Sequence, residues 1–252
     1  MTAELYAFEC GWITAPAAGV LSGATGEMRI PIPAYLIRHP KGLAMFDTGL
    51  SATLIDDVEG DLGSASAARL KIEMTAASTI QARMAAAGFD IDKVDLVINS
   101  HMHFDHTGGN CACCNADVLV QQAEFDYAES GQGGTTYKAE DWETGQTIRK
   151  VTGEYDVFGD GSVVCFPSTG HTPGHQSLRL RTDRGEGILC GDACYFRRTL
   201  DEMRLPAHVF DEAAFRASLQ TFADFRAGGA RLFFGHCPET WGDVPQGPAR
   251  VL

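Results

Sequence analysis

The amino-acid sequence predicts an α/β fold in which sheets pack face to face and helices lie outside them. Short runs of β-branched and aromatic residues, bounded by Gly, Pro and Asp, recur along the chain and interleave with a few helices in both halves. No repeat, linker or low-complexity stretch divides the 252 residues, which are enough to bury about three quarters of the unfolded surface. We therefore expect one domain spanning residues 1–252.

The predicted strands follow from this patterning. The chain opens with a short strand that ends at Glu9, Cys10 and Gly11. Later apolar runs predict strands at 34–37, 43–46, 94–98, 118–120, 163–166, 177–180, 188–190 and 232–234. Their distribution over both halves of the chain favours sheets that pack on each other.

The predicted helices are marked by apolar residues three or four positions apart. Gly88 stands where the first helix would stop, and its apolar stripe consists of Leu70, Met74, Ala77, Ile80 and Met84. The second helix would begin at Asp211, an N-cap residue, and end at Gly228 and Gly229. Its stripe consists of Phe215, Leu219, Phe222 and Phe225.

The charge of the chain limits its partners. The 33 acidic and 20 basic residues give a formal net charge of −13 at pH 7, the wrong sign for binding a phosphate backbone or an anionic membrane. The first twenty residues lack the basic start and apolar core of a secretory signal, and no run approaches the roughly 18 apolar residues that span a bilayer. We expect a cytoplasmic protein with no nucleic-acid or membrane partner.

Three other features are open to two interpretations. The clustered Cys111, Cys113 and Cys114 lack a fourth ligand at zinc-finger spacing, which favours reduced thiols that pack or are incidental over a separate metal site. Two stretches of small and polar residues, 15–27 and 129–136, are predicted to be surface loops. They are either mobile segments or the borders of a substrate entrance, since binding residues often lie on loops held by a rigid scaffold.

Four side chains that can ligate metals follow the predicted strand at 94–98; they are His101, His103, Asp105 and His106. Three imidazoles and a carboxylate within six residues form a crowded group that a cation would stabilise, so this run predicts a metal site. Three further metal-competent residues follow later predicted strands, where loops in α/β folds converge on a functional crevice. These are His171, Asp192 and His236.

The motifs together are recognisable. The His-x-His-x-Asp-His run, the Gly-His-Thr-Pro-Gly-His at 170–175, the Gly-Asp-Ala at 191–193 and the final Gly-His resemble, in order and spacing, the metallo-β-lactamase superfamily across nearly the whole chain. The resemblance implies an αβ/βα four-layer sandwich with two divalent metal ions, zinc being the expected metal. The first ion would take His101, His103 and His171. The second would take Asp105, His106 and His236, and Asp192 would bridge both.

The chemistry of such a centre follows from its charge. Two cations about 3.5 to 4 Å apart can share a bridging hydroxide, because coordination lowers the pKa of water from about 15.7 toward 7. A hydrolase of this kind needs no serine or cysteine nucleophile, and Asp105 and Asp192 are predicted catalytic residues. Asp47 is either a turn aspartate or a partner that orients a ligand imidazole. His175 is expected to orient the loop that presents His171.

Within the superfamily, the sequence is most similar to the N-acyl-homoserine lactone lactonases, which are quorum-quenching enzymes. The similarity rests on the opening strand, on the Gly-His-Thr-Pro-Gly-His-Gln-Ser-Leu loop and on Tyr195, three residues after Asp192. In those lactonases, a tyrosine at that offset points at the substrate carbonyl or leaving oxygen. Tyr195 is therefore the third predicted catalytic residue, the alternative being a packed aromatic side chain. The expected substrate is a small-molecule lactone or ester.

Other functions share these motifs. Lactonases of other rings, aryl-ester hydrolases and phosphotriester hydrolases carry almost the same residues. Thioester hydrolases of the glyoxalase-II type usually append a helical region, for which little chain remains after His236, and the metallo-β-lactamases proper generally lack an aspartate like Asp192. From another class, di-iron redox proteins use a nearly identical ligand set but normally need a flavin domain. A non-catalytic metal-binding module would lack a ligand, and here the ligand set is complete.

Overall fold

The computed structural model describes residues 2–252, and strands occur through most of that range. In chain order they are β1 (Glu4–Pro16), β2 (Glu27–His39), β3 (Gly42–Phe46), β4 (Lys71–Glu73), β5 (Leu96–Ile98), β6 (Asp117–Gln121), β7 (Ile148–Val151), β8 (Tyr155–Asp156), β9 (Val163–Pro167), β10 (Gln176–Thr182), β11 (Gly185–Leu189) and β12 (Arg231–Phe233).

Helices connect and cover these strands. The α-helices are α1 (Ala17–Val20), α2 (Val58–Leu62), α3 (Ser64–Ala67), α4 (Ile80–Ala86), α5 (Phe104–Thr107), α6 (Gln122–Glu129), α7 (Arg197–Asp201), α8 (Glu212–Ala227) and α9 (Pro238–Trp241). Short 3-10 helices lie at Ala52–Ile55, Ala76–Ser78, Ile91–Lys93, Asn110–Cys113, Gly134–Thr136, Ala139–Asp141 and Gly191–Ala193. Among residues 2–252, no helix is long and apolar enough to cross a membrane.

The strands form two sheets. Within residues 2–252, one sheet has seven strands in the order β4-β1-β2-β3-β5-β6-β7, and the other has five in the order β12-β11-β10-β9-β8. Strands β3, β5, β6 and β7 pair in parallel, as do β11 and β12, while the remaining neighbours are antiparallel. Parallel neighbours end at the same edge of a sheet, so the loops that follow β3 and β5 emerge side by side.

Alternating side chains divide the core into two parts. Leu96 and Ile98 of β5 join a buried cluster with residues of the second sheet, whereas Val97 between them joins a cluster that includes helical side chains. This alternation is expected for a strand, because successive side chains point to opposite faces. The two sheets therefore pack on each other with helices outside, which confirms the predicted four-layer αβ/βα sandwich.

The predicted helix at 211–227 is confirmed. The Asp211 side chain accepts a hydrogen bond from the Ala214 backbone N–H at 3.0 Å, as an N-cap residue does. Phe215, Leu219 and Phe222 are buried, and the Phe222 ring packs edge-on against Phe166 of β9. The helix therefore covers the outer face of the second sheet.

The helix predicted from Leu70 to Met84 is wrong in its first half. Lys71–Glu73 forms β4, which pairs antiparallel with Trp12, Ile13 and Thr14 of β1. The long first strand offers free backbone groups at its edge, and pairing with them outweighs the weak helical spacing of the side chains. A helix begins only after Thr79, whose side chain caps it, and Gly88 follows its end at a φ of 79°.

The start of the chain also differs from the prediction. The opening strand does not stop at Gly11 but continues to Pro16, with a register shift between Glu9 and Trp12 where Gly11 adopts a φ of 111°. The stretch 15–27 is therefore not one loop, because it includes the end of β1 and the short helix α1. The helix α6, rich in polar residues, and the strand β7 were not predicted.

Candidate active site

Loops that follow strands of both sheets meet at one edge of the sandwich. His101, His103, Asp105 and His106 follow β5, His171 follows β9, Asp192 follows β11 and His236 follows β12. The structure thus brings together every residue that the sequence predicts to ligate metal. The side chains form two groups, the first comprising His101, His103, His171 and Asp192, and the second comprising Asp105, His106 and His236.

The first group presents three imidazole nitrogens to one point. His101 Nε2 lies 2.9 Å from His103 Nδ1 and 3.2 Å from His171 Nε2, and the third distance, from His171 Nε2 to His103 Nδ1, is 3.1 Å. A tetrahedral zinc ion with bonds of 2.0 to 2.1 Å to nitrogen holds two such ligands about 3.3 Å apart. The spacing of the nitrogens is therefore close to that of three ligands on one zinc ion.

Asp192 faces both groups. Its Oδ2 lies 3.4 Å from His171 Nε2 and 3.9 Å from His101 Nε2 in the first group. Its Oδ1 lies 2.9 Å from His236 Nε2 and 3.2 Å from His106 Nε2 in the second. One carboxylate therefore divides its two oxygens between the two sets of imidazoles.

The second group is completed by Asp105. Its Oδ2 lies 3.6 Å from His106 Nε2 and 3.7 Å from His236 Nε2. Asp105 is only partly buried, and it lines the cavity above the site, whereas the two imidazoles are buried. The open side of the second group is therefore turned toward the cavity.

The residues fit a pair of cations. Asp192 Oδ1 lies within hydrogen-bonding distance of His106 Nε2 and His236 Nε2, but the groups are not aligned as in a hydrogen bond. All three buried atoms therefore lack a hydrogen-bond partner among residues 2–252. Buried polar atoms are normally paired, since leaving one unpaired costs about 1–3 kcal/mol. These three atoms lie close together, as ligands of a shared ion do. Imidazole and carboxylate donors in tetrahedral spacing are those that zinc takes.

The nitrogens on the far side of the rings are held by hydrogen bonds. His106 Nδ1 lies 2.8 Å from Asp47 Oδ2, His236 Nδ1 donates to the Pro31 carbonyl at 2.8 Å, and His101 Nδ1 lies 3.0 Å from Ser100 Oγ. Such contacts select the tautomer and the orientation of a ligand imidazole. Asp47 is thus the imidazole partner that the sequence suggested. It adopts a φ of 57°, which is strained for a residue with a side chain.

Burial and nearby charge set the ionisation of the imidazoles. Burial lowers the pKa of His103 to about 4 and the pKa of His101 well below its ordinary value, so both rings are neutral and keep a free lone pair. For His106, burial also acts to lower the pKa, but the carboxylates of Asp192 and Asp105 outweigh it and raise the pKa well above the ordinary value. The second group therefore favours a positive charge.

Tyr195 lies beside the first group, with its hydroxyl 3.4 Å from His171 Nδ1. Its ring packs against His171 and His236 with centroid distances of 5.6 and 5.4 Å. Burial, together with the nearby Asp192 and Asp105, raises the pKa of Tyr195 well above its ordinary value. Tyr195 is one of the residues that line the cavity described next.

A cavity of about 430 Å³ opens above the two groups, a size typical of small-molecule sites. Much of its wall is apolar, formed by Ile13, Val20, Ile30, Leu70 and Phe104. Both predicted loop stretches reach it, since residues 15, 16, 19 and 20 and residues 135 and 136 contribute to the lining. Of the two interpretations of these stretches, the border of a substrate entrance agrees with this placement.

The chain matches a known protein family over the region that contains the two groups. The family described as "Metallo-beta-lactamase superfamily" matches residues 29–236, which is most of the chain and includes all seven of the clustered histidines and aspartates. The chain belongs to the metallo-beta-lactamase superfamily. The resemblance inferred from the motifs is thereby confirmed.

Several similar proteins within the metallo-beta-lactamase superfamily are named as N-acyl homoserine lactonases. The N-acyl homoserine lactonase AttM of Azorhizobium caulinodans is 32% identical over 90% of this chain and 89% of its own length. The N-acyl homoserine lactonase AiiA of Bacillus thuringiensis subsp. kurstaki is 27% identical over 83% of this chain and 82% of its own. A solved structure of an N-acyl homoserine lactone hydrolase, with N-hexanoyl-L-homoserine bound at its catalytic metal centre, aligns with a TM-score of 0.89 and 26% identity over 100% of both chains. This superfamily member is a metal-dependent hydrolase.

The cysteines belong to neither metal-competent group. Within residues 2–252, those groups consist of histidine and aspartate alone. All eight thiols are free, and six of them are buried. Burial raises the pKa of Cys10 and Cys113 to about 12 and that of Cys194 well above its ordinary value. Cys10, Cys113 and Cys194 pack as small apolar groups, whereas Cys111 and Cys114, the other two of the clustered cysteines, are exposed.

Some residues of the site were not predicted. Ser100 contacts His101 and donates to Asp47 Oδ2 at 2.8 Å, and the Pro31 carbonyl holds His236. Glu124 of α6 is fully buried beside the first group. A serine directly before the ligand run was a usable signal for Ser100. Pro31 and Glu124 have no local signature, because they reach the site only through the packing of distant segments.

Proposed function

We propose that this protein hydrolyses the lactone ring of N-acyl homoserine lactones at a centre of two divalent metal ions, which we expect to be zinc. The observation that carries the proposal is the position of Asp192, whose Oδ2 faces His101 and His171 and whose Oδ1 faces His106 and His236. A carboxylate so divided is suited to bridge two cations. Its negative charge would compensate part of theirs.

The remaining residues would complete the two ion sites. His101, His103 and His171 would hold the first ion, while Asp105, His106 and His236 would hold the second. When bound, the ions would supply a hydroxide nucleophile at neutral pH and polarise the scissile carbonyl. Asp47, Ser100 and the Pro31 carbonyl would keep the ligand rings oriented, because they hold the ring nitrogens that face away from the ions.

Tyr195 would act on the substrate directly. Tyr195 lines the cavity, and its hydroxyl lies 3.4 Å from His171 Nδ1 of the first group. Opening of a lactone creates negative charge first on the carbonyl oxygen and then on the leaving oxygen. A phenol within hydrogen-bonding reach can donate to either oxygen and stabilise that charge.

Two observations support a lactone with an apolar acyl chain as substrate. The cavity has a volume of about 430 Å³, and side chains such as Ile13, Ile30 and Phe104 give it an apolar wall. This wall lies next to the histidines and aspartates of the two groups. The relatives named above are N-acyl homoserine lactonases, and they match this chain along more than four fifths of its length. An acyl chain would lie against the apolar wall while the lactone ring reaches the histidines and aspartates.

A substrate screen tests the proposal. The metal-loaded protein would be assayed with N-acyl homoserine lactones of graded chain length beside a thioester, a β-lactam, an aryl ester and a phosphotriester. We expect the highest kcat/KM for the lactones. Higher values for one of the other substrates would replace the proposed substrate, and iron with a visible absorption band and no hydrolysis would favour a di-iron redox protein.

A further inference from the structure

Glu124 is a buried acid that lies outside both groups of metal-competent residues. It stands in the first turn of α6, and its side chain is fully buried. No lysine or arginine of residues 2–252 forms an ion pair with it. A buried carboxylate without a counter-charge is costly unless hydrogen bonds satisfy it.

Four donors satisfy this carboxylate. Oε1 accepts hydrogen bonds from the Met102 backbone N–H at 3.0 Å and from the Tyr137 hydroxyl at 2.9 Å. Oε2 accepts from the Thr172 hydroxyl at 2.6 Å and from the Gly174 backbone N–H at 3.1 Å. Each oxygen thus takes one backbone N–H and one hydroxyl, and the donors come from three separate segments of the chain.

Those donors are adjacent to the three histidines of the first group. Met102 lies between His101 and His103 in the sequence, and Thr172 directly follows His171. The Tyr137 ring packs edge-on against the His103 ring, with a centroid distance of 4.8 Å and an interplanar angle of 77°. One side chain therefore connects the loop after β5 to the loop after β9.

The packing around Gly174 shows how closely the second loop lies against α6. A Cβ atom on Gly174 would lie 2.1 Å from the Glu124 backbone nitrogen, a distance that no side chain can occupy. Glycine at this position lets the loop that carries His171 reach the carboxylate. The connection is therefore made by backbone contact as well as by the side chain.

We propose that Glu124 is the positioning residue of the first metal site, holding His101, His103 and His171 at their mutual spacing by hydrogen bonds to the two loops that carry them. The inference rests on the proposed metal centre. Glu124 contacts neither the ligand atoms nor the substrate. Its effect passes through Met102 and Thr172, which adjoin ligands of the first ion. Its removal therefore lowers the affinity of that ion more than the affinity of the second ion, whose ligands Asp105 and His106 lie further along the loop after β5.

The Glu124→Gln variant tests this role with almost no change in shape. An amide has one accepting oxygen, and its nitrogen would face either the Met102 N–H or the Gly174 N–H. A hydroxyl can turn and accept from the amide nitrogen, but a backbone N–H cannot. One of the two loops therefore loses its backbone N–H bond to this side chain. Glu129→Gln is the matched control, since Glu129 ends the same helix and is exposed.

Metal binding is the readout, measured without substrate by chelator competition with zinc and by the visible absorption spectrum of the cobalt-substituted protein. We expect Glu124→Gln to bind one of two ions about ten- to a hundredfold more weakly, with an altered cobalt spectrum, and Glu129→Gln to match the parent protein. Unchanged affinity and spectrum in folded Glu124→Gln would overturn the inference.

Two milder variants test the same link while retaining the carboxylate. Thr172→Val and Tyr137→Phe each remove one hydroxyl donor, and we expect each to weaken the same ion by a smaller factor. If Glu124→Gln does not fold, parent-like affinity and cobalt spectra in both milder variants would overturn the inference. A parent protein that binds two ions but opens no lactone would contradict the proposed function, and the affinity comparison would still decide the role of Glu124.

Discussion

The His175 imidazole accepts a hydrogen bond from the Asp192 backbone N–H, with a nitrogen-to-nitrogen distance of 3.0 Å. Its Nδ1 lies 2.8 Å from Ser168 Oγ, which fixes the orientation of the ring. A Cβ atom on Gly191 would lie 2.7 Å from His175 Nε2, so glycine allows this approach. We expected His175 to orient the loop of His171, and it also fixes the backbone that carries Asp192.

Replacement of His175 by Ala should weaken the structure around Asp192 more than the chemistry. The Asp192 N–H would lose its acceptor in a buried place, which costs about 1–3 kcal/mol. We expect the free energy of unfolding, measured in denaturant, to fall by about that amount. His208→Ala is the control, because His208 is exposed. An unfolding free energy equal to that of the parent would show that the bond contributes nothing.

Replacement of Asp192 by Asn should be more severe for activity. A neutral amide cannot compensate the charge of two cations or bridge them equally well. We expect turnover of the best lactone to fall by more than about a hundredfold, together with metal affinity. Fully metallated His175→Ala is the comparison. A loss of activity in that variant as large as in Asp192→Asn would contradict the different roles assigned to the two residues.

The metal content should approach two ions per chain. The two groups of ligands, together with Asp192 between them, motivate this number. Elemental analysis after gentle dialysis measures it, and lactone hydrolysis on the same preparation relates it to function. Full activity with a single tightly held ion would contradict the proposed dinuclear centre.

Replacement of Tyr195 by Phe should slow ring opening without loss of metal. Removing one donor of this kind typically costs about a hundredfold or more, but a neighbouring cation would compensate in part. We expect turnover to fall by about ten- to a hundredfold. Steady-state kinetics and metal occupancy would be measured on one preparation. Unchanged turnover at full occupancy would identify Tyr195 as a packed aromatic side chain and favour a generic ester hydrolase.

Asp141 should make stability depend on pH. Burial raises the pKa of this carboxyl to about 6, although a hydrogen bond from Thr107 opposes the shift. The folded protein then holds the proton more tightly than the unfolded chain, so the free energy of unfolding decreases as pH rises from about 4 through about 6. The loss is on the order of 3 kcal/mol, at about 1.4 kcal/mol per pKa unit.

Replacement of Asp141 by Asn should remove that slope. An Asn side chain can still accept from Thr107 but does not ionise. Denaturant unfolding of both proteins at pH 4.5 and pH 7 measures the effect, and acidification of the metal ligands cancels in the comparison. We expect the variant to gain stability relative to the parent at the higher pH. An equal pH dependence in both proteins would show that Asp141 titrates normally.

The sequence predicted the residues that can hold metal because their signal is local. His101, His103, Asp105 and His106 occupy one short loop, and a spacing of this kind can be read without a fold. The capped helix at 211–227 was predictable for the same reason. The structure of the segment 70–84 was not predictable, because its backbone could form hydrogen bonds either within a helix or with a neighbouring strand. The pairing of Lys71–Glu73 with β1 decided between these two possibilities.

The sequence by itself determined which side chains can hold metal and that strands and helices form a layered α/β protein. The resemblance to the superfamily also predicted that Asp192 would lie between two metal ions, and the structure showed the geometry, with Oδ2 toward one set of imidazoles and Oδ1 toward the other. Only the tertiary structure decided that His175 holds the Asp192 backbone and that Glu124 links the loops after β5 and β9. These contacts join segments far apart in the chain through common residue types. Their partners are fixed by the packing of the two sheets and α6, so no local pattern in the sequence can specify them.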